Sequence, residues 1–582
     1  MCQGVPSHLS RESCTRCTVV RQPSLHFPRS QCACPWRIQV EKEHPMPPSD
    51  SRFDLIRTLL LPEAFPWRPD TVELIETHIS WVFLAGDRVV KIKRPVHFGF
   101  VDHSNIEQRR YSCEEEVRLN RRLTEDVYLG TVPITRLGDR LVVGADGEPF
   151  DYATLMRRLP AKRMLDTLLS SGSAPGDLVG LLARRLIPFH RHAAGCCDGE
   201  TDRSAATFTA VVSDNQDELR DFAGGPIGAL QFALVEEAMR TFLADYSQLF
   251  KQRVNDGWVR DGHGDLRAEH ICLEEGAVQI FDCIEFNQSI RCADVASDLA
   301  FLLMDLSRLG AEATASELEE RYREAGIDLP TPLMRFYRAH RALVRAKIEI
   351  LTTTGGLRPN PELAFEAAAY LDLAARSALT VRPFLMAMTG LSGTGKSTVA
   401  ASVARATGAD LISSDVVRKQ LAGITGPAAA TWGKGLYTAE WNERTYQRLF
   451  ARAKEALRAG RPVVLDATFL DERWREYAGG LASAASVPFL LVETVCDEQV
   501  VAARIAARAA SGDSASDADL AIYDHQRTMH SSAPVTVPGV AIAVCVNTST
   551  EAGNRLDPIF AALQRAEVLR PDMLTGPPQR SA

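Results

Sequence analysis

Residues 390–397 of the 582-residue chain read Gly390-Leu-Ser-Gly-Thr-Gly395-Lys396-Ser397, and this stretch decides the fold of the C-terminal part. It fits the pattern G-x-x-x-x-G-K-[S/T] in full, in which glycines let backbone N–H groups turn inward around phosphate oxygens. An apolar strand precedes it, and a predicted helix begins at Ser397 and adds positive potential at its N-terminus. We therefore expect Lys396 to reach the β and γ phosphates and the Ser397 hydroxyl to bind Mg²⁺.

Short apolar strands alternate with helical stretches around this loop. This pattern predicts a doubly wound parallel sheet that is covered by helices on both faces. The predicted strands span residues 384–388, 410–413, 463–466, 489–494 and 541–546. The residues expected to bind the nucleotide are Gly390, Ser392, Gly393, Thr394, Gly395, Lys396, Ser397 and Thr398.

Charged residues follow two of these strands. Asp466 ends the stretch Pro462-Val-Val-Leu-Asp466 and is a candidate Mg²⁺ ligand, although a carboxylate there could also cap the next helix. Asp415 and Arg418 follow the second strand, at the edge where doubly wound sheets bind ligands. We expect Asp415 to accept a proton from an attacking hydroxyl and Arg418 to hold an anionic group of the substrate. The alternative is a helix cap with an exposed arginine.

Two arginines, Arg504 and Arg508, lie four residues apart before a flexible stretch, 511–516. They could close over the phosphates and stabilise the charge of the transferring group, or they could be surface residues of a solvated helix.

Together, Gly390–Ser397, Asp415-x-x-Arg418, Asp466-Ala-Thr468 and this arginine pair resemble the small P-loop kinase family of gluconate kinase, polynucleotide kinase and zeta toxin over about residues 383–570. The resemblance implies phosphorylation of a small hydroxyl-bearing molecule, with Asp415 facing the hydroxyl.

A second phosphate-handling pattern lies upstream. His263-Gly-Asp265 leads through Leu-Arg-Ala-Glu to His270, and the stretch Gln279-Ile-Phe-Asp282 ends twelve residues after His270. This order resembles the aminoglycoside phosphotransferase and choline kinase branch of the protein-kinase-like fold, over about residues 72–350. The resemblance implies that Asp265 orients the substrate hydroxyl, that Asp282 binds Mg²⁺ and that His263 braces the loop.

The chain departs from that family at His270, where the family has a metal-binding Asn. Mg²⁺ prefers oxygen ligands, so an imidazole is a poorer match. Three alternatives remain open: a site with a single metal ion, a preference for Mn²⁺, or a catalytically weakened domain.

Other parts of a kinase site are present in outline. Val89-Val-Lys91-Ile-Lys93 is a predicted strand with two lysines on one face, of which Lys91 is preferred as the phosphate-binding residue. Glu116 is preferred over Glu115 as its partner on the following helix, although these glutamates could belong to a solvated face. No glycine-rich motif covers the phosphates, and the turn at residues 77–80 is the expected substitute. Asp294 and Asp298 are expected to be structural supports of the catalytic segment.

Composition limits the remaining classes. Hydrophobic residues make up 45% and charged residues 24%, which excludes disorder for most of the chain. The net charge of −8 argues against nucleic acid as the main partner. No window reaches the roughly 18 uncharged apolar residues of a membrane span. We therefore expect a cytoplasmic protein with mostly reduced cysteines.

The domain organisation follows from these patterns. Residues 1–45 are expected to be a disordered leader or to precede the true start, and 571–582 to be a polar tail. Between them the sequence predicts a bilobal kinase-like domain over 46–355, a connector helix within 356–382 and a P-loop domain over 383–570. The Thr- and Gly-rich stretch 352–356 is expected to form a connector before that helix.

The whole chain is expected to be an ATP-dependent phosphotransferase with two nucleotide sites, using ATP, Mg²⁺ and a small-molecule acceptor. In the main alternative, the N-terminal domain is a ligand-sensing pseudokinase that regulates the P-loop half. Weaker alternatives are an ATP-hydrolysing regulator and a toxin-like kinase that acts on nucleotide sugars. The sequence leaves the acceptor and the oligomeric state open.

Overall fold

The computed structural model describes residues 55–98, 101–196, 201–274, 276–355, 361–424, 438–511, 520–529, 541–549 and 555–573. The predicted leader, 1–45, and residues 574–582 of the predicted tail lie outside this range. All described residues belong to one structural unit, Trp36–Ala582.

The first lobe contains an antiparallel sheet whose strands differ in length. In the described residues its six strands lie in the order Val72–Glu76, Ser80–Ala85, Arg88–Lys93, Pro149–Arg157, Tyr128–Leu137 and Arg140–Val143. The helix Ile106–Asn120 packs against this sheet and is capped by Asn105, whose side chain accepts the Gln108 N–H. The second and third of these strands form a hairpin that turns at residues 86–87 and places Val82 opposite Lys91.

The second lobe is mostly helical, as predicted from residue 163 onward. A small strand pair, Ile271–Glu274 with Ala277–Ile280, follows the catalytic segment. A second pair joins Val259–Asp261 to Cys292–Asp294. The helices are Leu165–Ser170, Leu178–His192, Thr201–Arg220, Ala229–Asp245, Ser247–Asn255, Gln288–Arg291, Val295–Arg308, Glu312–Glu324 and Thr331–Gly355. Residues 352–355, expected to be a connector, complete the last of these helices.

The C-terminal part contains the predicted parallel sheet. Its strands lie in the order Asp410–Ser413, Val463–Asp466, Leu385–Thr389, Phe489–Val495 and Ala541–Asn547. The first strand in sequence thus lies in the middle, where ligands bind in doubly wound sheets. Its helices are Lys396–Thr407, Ser414–Ala422, Ala439–Arg458, Glu472–Ala484, Glu498–Ser511, Leu520–Met529 and Asp557–Arg565.

The helix Pro361–Ala378, which we call the connector helix, packs against both halves. Its buried Asp372 accepts hydrogen bonds from Gln231 of the second lobe at 3.0 Å and from Arg405 of the P-loop half at 3.1 Å. Arg335 of the second lobe also donates to the Met573 carbonyl oxygen at 3.2 Å. One hydrophobic core therefore runs through the second lobe, the connector helix and one face of the parallel sheet.

The fold class predicted from sequence is confirmed: a bilobal protein-kinase-like half precedes a P-loop half. In the part of the chain that the structure describes, no helix has the length and apolar character to cross a membrane.

Candidate active sites

Lys91 links the two lobes of the N-terminal half. Its ammonium donates to Glu116 Oε1 and to Asp282 Oδ1, each at 2.6 Å. Burial alone would lower the pKa of Lys91, but the charges of Asp282 and Glu116 outweigh it and hold the pKa well above its ordinary value. The two residues preferred from sequence, Lys91 and Glu116, thus form an ion pair, whereas Glu115 pairs with Arg118 at 2.7 Å.

A second lysine lies behind this pair. Lys93 is fully buried and contacts Glu116 at 2.8 Å as well as Glu285. Burial raises the pKa of Glu285, although Lys93 opposes the change. Thr154 donates to the same oxygen of Glu116, Oε2, at 2.9 Å, whereas Lys91 binds Oε1. Sequence reasoning missed Glu285, because nothing in the local pattern links it to a strand almost two hundred residues earlier.

Asp298 fixes the backbone of the loop that contains His263 and Asp265. This buried carboxylate accepts the backbone N–H groups of His263 at 2.7 Å and Gly264 at 2.9 Å, and it contacts His190 Nε2 at 3.1 Å. His263 Nε2 lies 3.0 Å from the Phe281 carbonyl oxygen and so braces the loop. Burial lowers the pKa of His263 to about 4, so this imidazole is neutral at pH 7. Asp298 therefore makes the contacts that its predicted supporting role requires.

Asp265 faces the cavity between the lobes but is not free. Arg267 donates to both of its oxygens, from Nε at 3.0 Å and from Nη2 at 3.2 Å. Burial would raise the pKa of Asp265, but the charge of Arg267, and secondarily the interaction with His270, outweigh burial and lower the pKa. A carboxylate held in this way is a weak base and a good acceptor for orienting a hydroxyl.

His270 connects the two carboxylates of this site. Its Nδ1 lies 3.7 Å from Asp265 Oδ2 and its Nε2 lies 3.6 Å from Asp282 Oδ2. Its Nδ1 also lies 2.9 Å from the Asp265 carbonyl oxygen, which favours the Nδ1–H form as the donor. Asp282 has a φ of +62°, a left-handed conformation that is unusual for a residue other than glycine and often marks a functional position.

A cavity of about 1550 Å³ opens between the lobes. Lys91, Asp265 and Asp282 line it together, so the structure brings these three predicted residues to one place. The turn at residues 77–80, expected to cover the phosphates, lines it too. So do residues 156–159, at the end of the strand Pro149–Arg157.

One wall of the cavity carries a disulfide bond between Cys196 and Cys292, which the sequence did not predict. It joins the segment after Leu178–His192 to the strand Cys292–Asp294. Burial raises the pKa of the Cys113 thiol and of the Cys283 thiol to about 12, so both are protonated at neutral pH. The described cysteines that remain free thiols are Cys113, Cys272, Cys283, Cys496 and Cys545.

The P-loop has the backbone that the motif predicts. Gly390, Gly393 and Gly395 have φ values of +129°, +81° and +86°. A Cβ at Gly390 would lie 2.6 Å from the Thr494 carbonyl oxygen, and one at Gly393 would lie 2.9 Å from Val501 Cγ1. Only glycine fits at these positions, so the loop forms a concave backbone surface, the glycine cradle, that suits phosphate.

Protein groups occupy two donors of this loop. Lys396 Nζ donates to the Leu391 carbonyl oxygen at 2.6 Å. The Ser392 N–H donates to Gln526 Oε1 at 2.8 Å, from the helix Leu520–Met529. Gln526 was not predicted, because it lies far along the chain in a segment without a motif.

Ser397, Asp466 and Ser413 meet at the edge of the sheet. Strand pairing places Ser413 beside Asp466. Burial raises the pKa of Asp466, and hydrogen bonds from Ser397 and Ser413 partly oppose the shift. Next to them, Arg418 donates to Asp415 Oδ1 at 2.6 Å and to Asn442 at 3.1 Å.

Arg504 supports the P-loop from behind in this structure. Its guanidinium donates to the Thr548 carbonyl oxygen at 2.7 Å and to Thr548 Oγ1 at 3.1 Å. Thr548 Oγ1 in turn donates to the Thr394 carbonyl oxygen at 2.8 Å. The side chain of Arg508 lies outside the described residues.

The residues fit Mg²⁺ at both sites in donor type. Ser397 and Asp466 offer oxygens beside the glycine cradle, and Asp282 offers a carboxylate that is 40% exposed. Mg²⁺ commonly takes one or two protein ligands and completes its shell with water and phosphate. Among the described residues, no cluster of three or more His, Cys, Asp or Glu side chains is arranged to hold a metal ion.

Comparison with known sequences places the chain in a family. The AAA domain family matches residues 385–532. The uncharacterized proteins Rv2004c of Mycobacterium tuberculosis (strain ATCC 25618 / H37Rv) and Mb2027c of Mycobacterium bovis are each 34% identical over 456 residues, which is 77% of this chain and 89% of theirs. The chain belongs to the family of these mycobacterial proteins. The match extends well beyond the AAA domain, so the family shares more than its P-loop half.

Solved structures align with parts of the chain at low similarity. The GDP complex of wild-type aminoglycoside 2'-phosphotransferase-IIIa covers 55% of this chain and 98% of its own, at 15% identity and a TM-score of 0.35. A choline/ethanolamine kinase family protein from Mesorhizobium loti covers 56% and 94%, at 14% identity and a TM-score of 0.34. A gluconokinase from Sinorhizobium meliloti 1021 covers 32% and 95%, at 22% identity and a TM-score of 0.23.

Proposed function

We propose that the protein is an ATP-dependent phosphotransferase with two nucleotide sites, each of which phosphorylates a small hydroxyl-bearing molecule. The observation that carries this proposal is the contact of Lys91 with both Glu116 and Asp282 on a cavity that Asp265 also lines. A lysine fixed by a helix carboxylate beside an aspartate suits the triphosphate of a nucleotide. The glycine cradle at Gly390–Ser397 supports a second site of the same chemistry.

In the N-terminal site, Lys91 binds the α and β phosphates, and Asp282, with His270 beside it, holds the divalent cation, either Mg²⁺ or Mn²⁺. Asp265 orients the acceptor hydroxyl, whose oxygen bonds to the γ phosphorus as the bond from that phosphorus to the β–γ bridging oxygen breaks. ADP leaves and the hydroxyl proton passes to solvent, because the lowered pKa of Asp265 makes it a poor final acceptor.

In the P-loop site, the residues from Gly390 to Thr398 surround the triphosphate, and Lys396 turns from the Leu391 carbonyl oxygen to the β and γ phosphates. Ser397 and Asp466 hold Mg²⁺, which supplies neutralisation of phosphate charge when bound. Asp415 orients the acceptor hydroxyl, and Arg418 binds an anionic group of the acceptor.

The two arginines of the helix Glu498–Ser511 complete the P-loop site in this proposal. Arg504 and Arg508 stabilise the transferring phosphoryl group. Arg504 must then exchange its hydrogen bonds to Thr548 for phosphate contacts when nucleotide binds.

The test uses the full chain with a metabolite extract, ATP and Mg²⁺ or Mn²⁺. Wild type is compared with Lys396→Ala, Asp282→Asn and the double variant, and ADP and phosphorylated products are measured by mass spectrometry. Each single variant is expected to lose the products of one site, by on the order of 100-fold, and the double variant to lose both. Lys454→Ala and Asp139→Asn, at exposed positions, are the matched controls. ADP formation that persists in the double variant would refute the proposal.

A second function is favoured by the ion pair between Arg267 and Asp265 and by His270. In that function, the N-terminal half senses a ligand and regulates the P-loop kinase without transferring phosphate. The same set of variants separates the two functions. A sensor would yield no product that is lost in Asp282→Asn, yet ligands of the N-terminal cavity would change turnover at the P-loop.

A further inference from the structure

The cavity between the lobes continues past the catalytic loop into the second lobe. Its inner part is lined by the helices Thr201–Arg220 and Thr331–Gly355. We call this part the inner chamber. It is defined by Asn215, Phe301, Tyr337, His340 and Arg341. Asp265 and Gly264 line the same cavity, so the chamber lies on the acceptor side of the catalytic loop.

Arg341 brings a positive charge to this chamber. The residue is only 6% exposed. Its Nε donates to Ser297 Oγ at 3.2 Å and its Nη1 to the Gly264 carbonyl oxygen at 3.3 Å, both of them neutral acceptors. Within the described residues Arg341 forms no ion pair with a carboxylate. A buried guanidinium without a counter-ion is costly, so a bound anion would complete this site.

Other cations of the chamber wall are already neutralised. Arg253 donates to both oxygens of Asp294 at 2.8 Å, and Lys347 lies 3.3 Å from Glu218. The charge left for a ligand is therefore that of Arg341, next to the residue that precedes Asp265. Burial lowers the pKa of Arg341, and the negative charges of Asp298 and Asp265 oppose this shift.

Two further polar groups of the chamber have no partner. Neither amide atom of Asn215, which is 3% exposed, forms a hydrogen bond. The same holds for Nδ1 of His340, whose pKa burial lowers to about 3, so that its ring is neutral. Buried polar groups are almost always satisfied in native proteins, so these atoms indicate a polar ligand.

We propose that the inner chamber binds the phospho-acceptor of the N-terminal site, and that this acceptor is an anionic, hydroxyl-bearing small molecule. Its carboxylate or phosphate pairs with Arg341, and its other polar groups bind Asn215 and His340. Phe301 and Tyr337 pack against its carbon frame, and one hydroxyl faces Asp265. The proposal rests on the proposed function of this site. The proposal predicts against a polycationic acceptor, because its positive groups would meet the positive charge of Arg341 in the chamber.

The test begins with the full chain carrying Lys396→Ala, so that only the N-terminal site turns over. A metabolite extract is separated by ion exchange into anionic, neutral and cationic fractions, and each is incubated with ATP and Mg²⁺. Products that disappear with Asp265→Asn are identified by mass spectrometry. We expect them only from the anionic fraction.

An isosteric charge change then tests the chamber itself. Asn215→Asp adds a negative charge without adding volume, and we expect it to raise the KM for the identified acceptor at least tenfold while the KM for ATP stays within twofold. Ser213→Asp, exposed on the same helix, adds the same charge outside the chamber and should change neither value. Arg341→Gln should also raise the acceptor KM more than the ATP KM.

Each outcome decides one point. An Asp265-dependent product from the neutral or cationic fraction, or an acceptor KM that Asn215→Asp leaves unchanged or lowers, overturns the anionic assignment and leaves the proposed function standing. No Asp265-dependent product from any fraction refutes the catalytic function of this site, and the acceptor assignment with it.

Discussion

Arg267 holds both carboxylate oxygens of Asp265, with Nε 3.0 Å from Oδ1 and Nη2 3.2 Å from Oδ2. The pair makes this carboxylate rigid and keeps it ionised, since Arg267 and His270 outweigh the effect of burial on the pKa of Asp265. An ion pair of this geometry is expected to set the acid side of the pH profile.

Replacing Arg267 should therefore move that profile. In Arg267→Met, burial is less opposed and the pKa of Asp265 rises, so the ionised form is lost at a higher pH as the pH falls. We expect the acid limb of Asp265-dependent kcat/KM to lie at a higher pH in this variant than in wild type. The measurement is a pH–rate profile in the Lys396→Ala chain. Arg118→Met, at an exposed ion pair, is the control, and an unshifted profile in Arg267→Met would contradict the role of the pair.

Substitutions of Lys91 and Lys93 should have different effects, one on nucleotide binding and the other on the stability of the protein. Lys91→Met removes a group that faces the cavity, so the nucleotide affinity of the N-terminal site should fall at least tenfold. Lys93→Met leaves Glu285 without its buried cation and removes one of the two cations that contact Glu116, so the free energy of unfolding should fall by about 3 kcal/mol. Nucleotide titration and urea unfolding of both variants check this. Equal effects of the two variants on affinity and stability would show that the lysines are not specialised.

Asp372 should make stability depend on pH. Burial raises its pKa from 3.8 to about 7, although Arg405 and hydrogen bonds oppose the shift. The folded state then binds a proton that the unfolded state releases, so this contribution to stability is complete below pH 4 and is lost as the pH rises to about 7.

The variant Asp372→Asn keeps the hydrogen-bonding shape and removes this titration. Relative to wild type, its free energy of unfolding should increase by up to about 4 kcal/mol between pH 4 and pH 7. Urea unfolding at both ends of that range measures the difference. Asp410→Asn, in a partly exposed ion pair, should show no such trend. A constant difference for Asp372→Asn would mean that the carboxyl is ionised throughout.

Gln526 is expected to compete with nucleotide at the P-loop. Its side chain accepts the Ser392 N–H, a donor that phosphate needs. Removing that hydrogen bond in Gln526→Ala frees about 1 kcal/mol, so ATP should bind roughly fivefold more tightly. ATP titration in the Asp282→Asn chain isolates the P-loop site. Thr528→Ala, exposed on the same helix, is the control, and weaker binding in Gln526→Ala would show that this residue assists the nucleotide instead.

Local sequence patterns were sufficient where chemistry and spacing are local. The P-loop glycines need a left-handed or open backbone that other residues resist, so the motif predicts their geometry directly. The strands of the parallel sheet are short, apolar and separated by helices, which predicts their type and their order along the chain. The contact of Lys91 with Glu116 could be anticipated only through a family resemblance, because nothing in a charged helix distinguishes Glu116 from Glu115.

Contacts that depend on tertiary packing could not be read from one sequence. Glu285, Gln526 and the Cys196–Cys292 bond come from segments that carry no motif of their own. The pairing of Arg267 with Asp265 is local in sequence, yet it depends on how the catalytic loop folds back. A connector was expected at residues 352–356 because Thr and Gly favour loops, but residues 352–355 continue the helix Thr331–Gly355.

The connector helix has a consequence for how the protein is made. Its partners include the helix Lys396–Thr407, and the strand Thr380–Val381 that follows it pairs with Leu569–Arg570 near the other end of the chain. During synthesis, an apolar surface of the kinase-like half therefore stays exposed to solvent until nearly the whole polypeptide has left the ribosome. The two halves are expected to fold cooperatively as one unit. If they were expressed separately, they would be two aggregation-prone fragments instead of two independent enzymes.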